Sequence, residues 1–269
     1  MGIINASPES FYKESVKTGQ KIADTAKNME SEGADFIDVG GMSTAPYLST
    51  VISEKEEQRR VVLAIKKIQD ATNLPISVDT CRAQVAMAAL EMGVETINDV
   101  SGLKYDPQMI HVVAKYAPSL ILCAHGKKAS GNLLEQTKTF LKQSIALAKS
   151  AGINNDKIVI DPAIGFFRKR AQGPFYTKIA SDWAKRDLQV LENIPSIKMG
   201  YPILISASNK SFIGKIIQSE NPQDRIFGSL TAEAISVING ADIIRTHNVA
   251  QTRQVMLIAQ KAQRFWKNL

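Results

Sequence analysis

Cysteine is scarce in this chain, whose 269 residues include only Cys81 and Cys123. Two cysteines this far apart exclude a disulfide-rich scaffold and the closely spaced thiolate ligands of a zinc module. Cys123 lies in an apolar run, which predicts a core position. No signal peptide is apparent, so we interpret both cysteines as reduced thiols and expect a cytoplasmic protein.

Long apolar runs and dense basic runs are missing as well. No apolar stretch reaches the ~18 residues that a membrane-spanning helix needs, so no membrane partner is expected. The net charge is +7, from 33 Lys and Arg against 26 Asp and Glu. The basic residues occur in short pairs, such as Lys127 and Lys128, without interleaved aromatics, which argues against nucleic acid. The charge fits either a solvated surface or attraction to anionic small molecules.

No stretch rich in Pro, Gly or Ser divides the chain, so we predict one domain over residues 1–269. This length suits a single (β/α)₈ barrel, which takes ~250 residues. The chain begins within its first predicted strand. Either the start is truncated or the fold lacks an N-terminal cover.

Short apolar segments alternate with helical patterns along the whole chain. Strands are predicted over 1–5, 34–39, 76–80, 95–100, 119–123, 158–161, 203–206 and 241–245. Helices are predicted over 18–32, 53–71, 83–92, 107–116, 133–150, 173–192 (mostly helical), from 208–214, and over 222–239 and 249–265. Eight such repeats predict an α/β fold, a closed parallel (β/α)₈ barrel. The alternative, an open doubly wound sheet, normally has a Gly-rich turn after its first strand, and Asn5-Ala6-Ser7-Pro8 is not one.

A polar side chain stands at the end of every predicted strand. In a barrel these side chains would share one rim, the rim where ligands bind. Each alone could have a structural role: Asp161 as a turn residue, Lys210 as a surface lysine, His247 as a helix-start residue, His125 as a packed histidine. Their recurrence favours a functional rim, made of Asn5, Asp38, Asp79, Asn98, His125, Asp161, Ser206 and Arg245 with His247.

The chemistry of this rim indicates two kinds of ligand group. Carboxylate and amide side chains at Asp79, Asn98 and Asp161 suit the edge of a flat, nitrogen-rich heterocycle, because a carboxylate accepts two parallel bonds from an aminopyrimidinone. Arg245 suits an anion or a metal-bridged anion, together with His247 and Asn5. Lys210 adds a further polar anchor.

In order along the chain, these residues and their neighbours resemble dihydropteroate synthase, a pterin-binding (β/α)₈ enzyme family of folate biosynthesis. The resemblance covers essentially the whole chain. It is carried by Met-Gly-Ile-Ile-Asn-Ala-Ser-Pro-Glu-Ser-Phe (1–11), Asp-Val-Gly-Gly (38–41) with Ser43, Thr44 and Pro46, Ser-Val-Asp-Thr (77–80), Ile-Asn-Asp-Val-Ser-Gly (97–102), Asp161-Pro162 with Ile-Gly-Phe (164–166), Lys-Ser-Phe-Ile-Gly (210–214) and Gly-Ala-Asp-Ile-Ile-Arg (240–245) with His247.

The resemblance implies a reaction and a role for each matching residue. A pterin-methyl diphosphate would be joined to an arylamine with release of pyrophosphate, with Mg²⁺ at the diphosphate, and the family suggests a homodimer. Asp79, Asp161, Lys210 and Arg245 would be catalytic. Substrate binding would use these four together with Asn5, Thr44, Asn98, Ser211 and His247. Thr44 and Ser211 would lie around the arylamine, and Asn5 would lie at the magnesium.

Departures from the family pattern leave the second substrate and catalytic competence open. Ala45 and Asn209 each replace a family arginine, residues 12–15 replace an Asp-Gly-Gly stretch, and Cys-Ala-His (123–125) replaces Met-His-Met. These changes fall on the diphosphate or arylamine side. We therefore hypothesise a retained pterin and a changed amine, such as a ribosylated aminobenzene phosphate. The alternatives are a methyl-tetrahydropterin-binding domain of a corrinoid methyltransferase and a non-catalytic pterin-binding paralogue.

Overall fold

The computed structural model of the protein describes residues 1–7, 19–43, 51–170 and 173–266. Its strands are β1 Gly2–Asn5, β2 Ile37–Gly40, β3 Ile76–Asp79, β4 Thr96–Asp99, β5 Ser119–Cys123, β6 Ile158–Asp161, β7 Phe167–Arg168, β8 Thr177–Lys178, β9 Leu204–Ile205 and β10 Ile243–Ile244. Its α-helices are α1 Gln20–Ser31, α2 Glu54–Gln69, α3 Ala83–Glu91, α4 Met109–Tyr116, α5 Leu133–Ser150, α6 Trp183–Glu192, α7 Ile194–Ile197, α8 Ser211–Ile217, α9 Ile226–Ile238 and α10 Val249–Trp266.

Eight of the strands close into a parallel barrel. Strands β1 to β6 pair in chain order, and β9 pairs with β10. Two bridges complete the ring: Ile160 of β6 pairs with Ile203, and Gly2 of β1 pairs with Thr246. The Ile3 amide donates to the Thr246 carbonyl at 3.0 Å. The predicted (β/α)₈ barrel is therefore confirmed, and all eight predicted strands are found, two of them (119–123 and 158–161) with the predicted ends and six with shifted ends.

Buried apolar side chains explain why these strands and helices pack around one core. Ile4, Ile37, Val78 and Ile97 are fully buried, as expected for a parallel sheet covered by helices. The helices turn their apolar faces inward, for example Val61, Ala64, Ile65 and Ile68 of α2. None of the described helices combines the length and apolar character needed to cross a bilayer.

The predicted helix over 173–192 is wrong in its first half. Helix α6 begins only at Trp183, capped by Asp182. Before it, β8 pairs with β7 in an additional parallel ladder. The aromatic and β-branched run Phe175-Tyr176-Thr177 after Pro174 favours extended backbone, which explains this outcome. The predicted helix over 222–239 likewise begins as a 3₁₀ turn, Pro222–Arg225, before α9.

Candidate active site

Asp38, Asp79, Asn98 and Arg245 form one connected cluster at the C-terminal rim of the barrel. Arg245 donates through Nε to Asp38 Oδ2 at 2.6 Å and through a terminal nitrogen to Asp79 Oδ2 at 2.9 Å. Asn98 Nδ2 donates to the same Asp38 oxygen at 3.1 Å. Asp38, Asp79 and Asn98 come from the neighbouring strands β2, β3 and β4. Arg245 follows β10, which lies beside β1 because Thr246 pairs with Gly2 and closes the ring.

Asp38 is the least exposed member of this cluster and orients the others. It is fully buried, and its Oδ1 atom has no hydrogen-bond partner among the described residues. Its Oδ2 atom receives bonds from both Arg245 and Asn98. The sequence predicts a rim position for Asp38 without indicating its role. The structure shows that it fixes the side chains of two predicted substrate-binding residues.

The environment of Asp79 favours its protonated form. Burial raises the pKa of Asp79 from 3.8 to about 7; the cation of Arg245 opposes this shift and the carboxylate of Asp38 adds to it. Because 18% of the Asp79 side chain is still exposed, a ligand can reach it. A hydrogen-bond donor arriving here would favour the carboxylate and lower that pKa again.

Asp161 and Lys210 form a second group across the barrel mouth. Asp161 Oδ1 accepts a bond from the Ala163 amide at 2.7 Å, and burial raises the pKa of Asp161. Lys210 Nζ lies 4.6 Å from the centre of the Phe166 ring, and burial, reinforced by Arg245, lowers its pKa to about 8. A β-carbon at Gly165 would come within 2.8 Å of Lys210 Cδ, so glycine there lets the lysine cross the loop.

Two buried residues of α6 hold this loop in place. The Arg186 guanidinium donates to the carbonyls of Pro162 and Ala163, at 2.5 and 3.1 Å. Asp187 accepts from the Gly165 amide at 3.1 Å. Sequence analysis missed this pair; the available signal was an Arg-Asp dipeptide on the buried face of an amphipathic helix. The loop that carries Asp161 is therefore fixed from behind.

His247 and Asn5 lie where the barrel closes between β10 and β1. His247 Nδ1 lies 3.0 Å from Ser208 Oγ. Burial, reinforced by the cations of Arg245 and Lys210, lowers the pKa of His247 to about 3, so the imidazole is neutral at pH 7. Asn5 ends β1 in register with Gly40. The positive charge on this side therefore comes from Arg245 and Lys210 rather than from histidine.

The remaining predicted positions differ in their surroundings. Ser211 begins α8, and its Oγ accepts a bond from Arg168 at 2.7 Å. His125 Nε2 contacts the Pro174 carbonyl at 2.9 Å, and burial lowers its pKa, as expected for a packed histidine. Asn209 has φ +56°, a left-handed conformation that asparagine tolerates well. Thr44 lies outside the described residues.

A buried ion pair holds Ile52, near the end of the connection between β2 and α2 (residues 41–53), which we call the second loop. Glu57 of α2 accepts bonds from Thr80 Oγ1 at 2.7 Å and from Arg82 at 2.9 Å. Arg82 also donates to the Ile52 carbonyl at 2.8 Å. Because Thr80 follows Asp79 directly, this pair connects the end of that loop to the end of β3. Sequence reasoning gave these residues no role.

Comparison with known proteins agrees with this geometry. The family model described as "Pterin binding enzyme" matches residues 1–247. The chain belongs to the pterin-binding enzyme family. The dihydropteroate synthase of Clostridium beijerinckii is 37% identical, with 93% of this chain and 89% of the relative covered. That of Synechocystis sp. is 33% identical, with 96% and 88% covered. Membership in this family confirms the resemblance noted in the sequence.

A solved structure of the pterin-binding family extends the agreement to the fold. The crystal structure of dihydropteroate synthase from Clostridium difficile, obtained in the presence of pteroic acid, superposes with a TM-score of 0.84 at 34% identity. It covers 97% of this chain and 95% of the other. These relatives give no support to the corrinoid methyltransferase alternative.

Proposed function

We propose that the protein is a dihydropteroate synthase-like transferase, which joins a 6-hydroxymethyl-7,8-dihydropterin diphosphate to an arylamine and releases pyrophosphate. The observation that carries this proposal is the convergence of Asp79, Asn98 and Asp161, with Lys210 and Arg245, on one barrel mouth. Curated dihydropteroate synthases that cover most of the chain support the same reaction.

The charges of this site suit a reaction with a cationic intermediate. The bond between the pterin methylene carbon and the diphosphate oxygen breaks, the electron pair leaves with pyrophosphate, and the amine nitrogen then bonds to the carbon and loses a proton. Asp79 and Asp161, as carboxylates, stabilise the positive charge that develops on the ring, while Arg245 faces the departing anion. Lys210 donates to the ring, and no protein nucleophile is required.

Magnesium fits this site only as an ion shared with the substrate. Among the described residues, no group of three or more His, Cys, Asp or Glu side chains could hold a metal. Mg²⁺ commonly uses one or two protein oxygens and completes its shell with phosphate oxygens and water. The side-chain oxygen of Asn5, at the end of β1, would be the protein ligand. The ion would neutralise the diphosphate charge.

The amine is proposed to differ from plain p-aminobenzoate, because Ala45 and Asn209 stand where the family has arginines. A ribosylated aminobenzene phosphate is the candidate. The test is to incubate the purified protein with the pterin diphosphate and each amine separately, and to measure pyrophosphate. Release that depends on an added amine supports the transferase, whereas pterin binding without release would favour a non-catalytic paralogue.

We also propose that two copies associate through α9 and α10. Four large apolar side chains on these helices are exposed, with Phe227 at 79% and Ile258 at 74%, followed by Leu257 and Ile235. Exposed apolar surface of this kind marks interfaces. Light scattering should give a dimer mass for the protein and a monomer mass for Phe227→Asp. A monomeric parent protein would refute the proposal.

A further inference from the structure

Cationic side chains crowd the two loops that follow β5 and β6 at the rim. Residues 124–134 and 162–181 contain no Asp or Glu at all. Their basic residues are Lys127, Lys128, Arg168, Lys169, Arg170 and Lys178. All except Arg168 are exposed, and no carboxylate among the described residues forms an ion pair with any of these five.

Three of these residues stand side by side across a small parallel sheet. Lys178 of β8 is the register partner of Arg168 in β7 and also of Lys128 in the loop after β5. Main-chain bonds fix this arrangement: the Lys178 amide donates to Lys127 at 3.2 Å, and the Ala129 amide donates to Lys178 at 2.9 Å. Neighbouring strands lie about 4.8 Å apart, and like charges side by side destabilise a sheet. A row kept at this cost suggests an anionic ligand.

The inner end of the row is short of negative charge. Arg168 is only 4% exposed, and its buried Nε has no hydrogen-bond partner among the described residues. Among the described residues, Asp187 is the one carboxylate that forms an ion pair with it, at 3.7 Å, and Asp187 is shared with the Arg186 guanidinium at 3.1 Å. The first acidic residue after the stretch 162–181 is Asp182, which is paired with Lys215 at 2.8 Å. One buried carboxylate therefore faces two buried guanidinium groups.

The same arginine connects the row to the active site. A terminal nitrogen of Arg168 donates to Ser211 Oγ at 2.7 Å, and the guanidinium lies 4.1 Å from the Trp183 ring centre. Ser211 is the position at which the family resemblance implies the arylamine. The row of Arg168, Lys178 and Lys128 therefore begins beside the expected amine and runs outward to exposed side chains.

We propose that Arg168, Lys178 and Lys128 form a phosphate subsite for a tail carried by the arylamine. This proposal rests on the transferase function proposed above and names the class of its second substrate: an arylamine with a phosphate several atoms beyond the ring. Three cations in a row match a dianion better than a single carboxylate. Ala45 and Asn209 are uncharged where the family has arginines, and the row supplies positive charge from two other loops.

The test compares two amines with the intact protein. Steady-state rates are measured with the pterin diphosphate and either p-aminobenzoate or 2-(4-aminophenyl)ethyl phosphate. The variant Lys128→Gln/Lys178→Gln removes two exposed charges of the row, and Lys27→Gln/Lys142→Gln removes two exposed helix charges elsewhere as a matched control. We expect the parent to favour the phosphate amine, and the first variant to raise its KM about tenfold or more. The KM values for p-aminobenzoate and the pterin diphosphate should not change.

The other outcomes are separable. An equal loss in the control variant would mean that only the overall charge matters, and a raised KM for the pterin diphosphate would assign the row to the leaving group; either result overturns the subsite. Turnover of p-aminobenzoate with no preference for the phosphate amine would overturn the subsite while leaving the transferase intact. A parent protein that releases no pyrophosphate with either amine would overturn the proposed function itself.

Discussion

The proposed pterin side of the rim and the proposed amine side are held in different ways. On the pterin side, Asp79 and Asn98 project directly from paired strands, and Asp161 ends a third. On the amine side, Ser211 begins a helix, and its neighbour Arg168 comes from a two-residue strand inside a long loop. Side chains fixed by the barrel can keep one ligand, while loops can change their charges. This difference explains why the departures from the family fall where they do.

The largest effect is expected from removing Asp187, which connects the two sides. Asp187→Ala removes the carboxylate that Arg168 and Arg186 share, which leaves two buried guanidinium groups without a counter-charge. Losing one partner of a buried ion pair costs about 3–5 kcal/mol of folding free energy. Denaturant unfolding measures this. Glu135→Ala, which breaks an exposed pair with Lys138, is the control and should cost no more than about 1 kcal/mol. Equal losses would show that Asp187 does not hold the loops.

A smaller effect should be confined to the pterin side. Asp161→Ala removes a charged acceptor for the ring, and pterin affinity should fall by about 2–3 kcal/mol. Calorimetric titration with a pterin measures it directly. Asp156→Asn changes an exposed acid before the same strand and should leave the affinity unaltered. An unchanged pterin affinity in Asp161→Ala would show that the pterin does not bind at this side of the rim.

The pH dependence of pterin binding tests Asp79 and Lys210 together. Between pH 3.8 and about 7 the folded protein holds a proton on Asp79 that the unfolded chain releases, so this group makes stability fall as pH rises through that window. Binding through the carboxylate has the opposite sign, and affinity should rise up to about 7. Above about 8 Lys210 loses its proton, and affinity should fall again. Calorimetry over a pH series should give a maximum between these values.

Two variants show which side chain causes each side of the pH profile. Asp79→Asn should reduce the acidic side of the profile to the part that Asp161 contributes, because burial raises the pKa of that carboxyl as well. Lys210→Met should abolish the alkaline side, and both variants should have a lower maximum. The slope on the acidic side should approach about tenfold per pH unit, since one proton is released on binding. A flat profile for the parent protein would show that neither group changes its protonation when the pterin binds.

The sequence predicts the barrel and the placement of polar side chains on its rim well, because both depend on local patterns. β-branched runs such as Ile158-Val159-Ile160 identify the strands, and each rim residue stands at a strand end. The supporting residues could not be predicted in the same way. Arg186 reaches the Ala163 carbonyl across 23 positions, and Arg82 reaches Ile52 across 30, so only tertiary packing brings them together. The β7–β8 ladder was missed because two-residue strands carry almost no periodic signal.

The smallest prediction asks how far the two sides are independent. Ser53 caps α2, with its Oγ accepting from the Glu56 amide at 3.2 Å, at the end of the second loop. Ser53→Ala should lower folding free energy by about 1 kcal/mol, the usual value of an N-cap. Ser150→Ala, at the exposed end of α5, is the matched control and should stay within about 0.5 kcal/mol. Pterin affinity should not change in either variant, since α2 contributes no side chain to the Asp79, Asn98 and Asp161 group. A weaker pterin affinity in Ser53→Ala alone would show that the second loop, held by Arg82 next to Thr80, acts on Asp79 as well as on the amine.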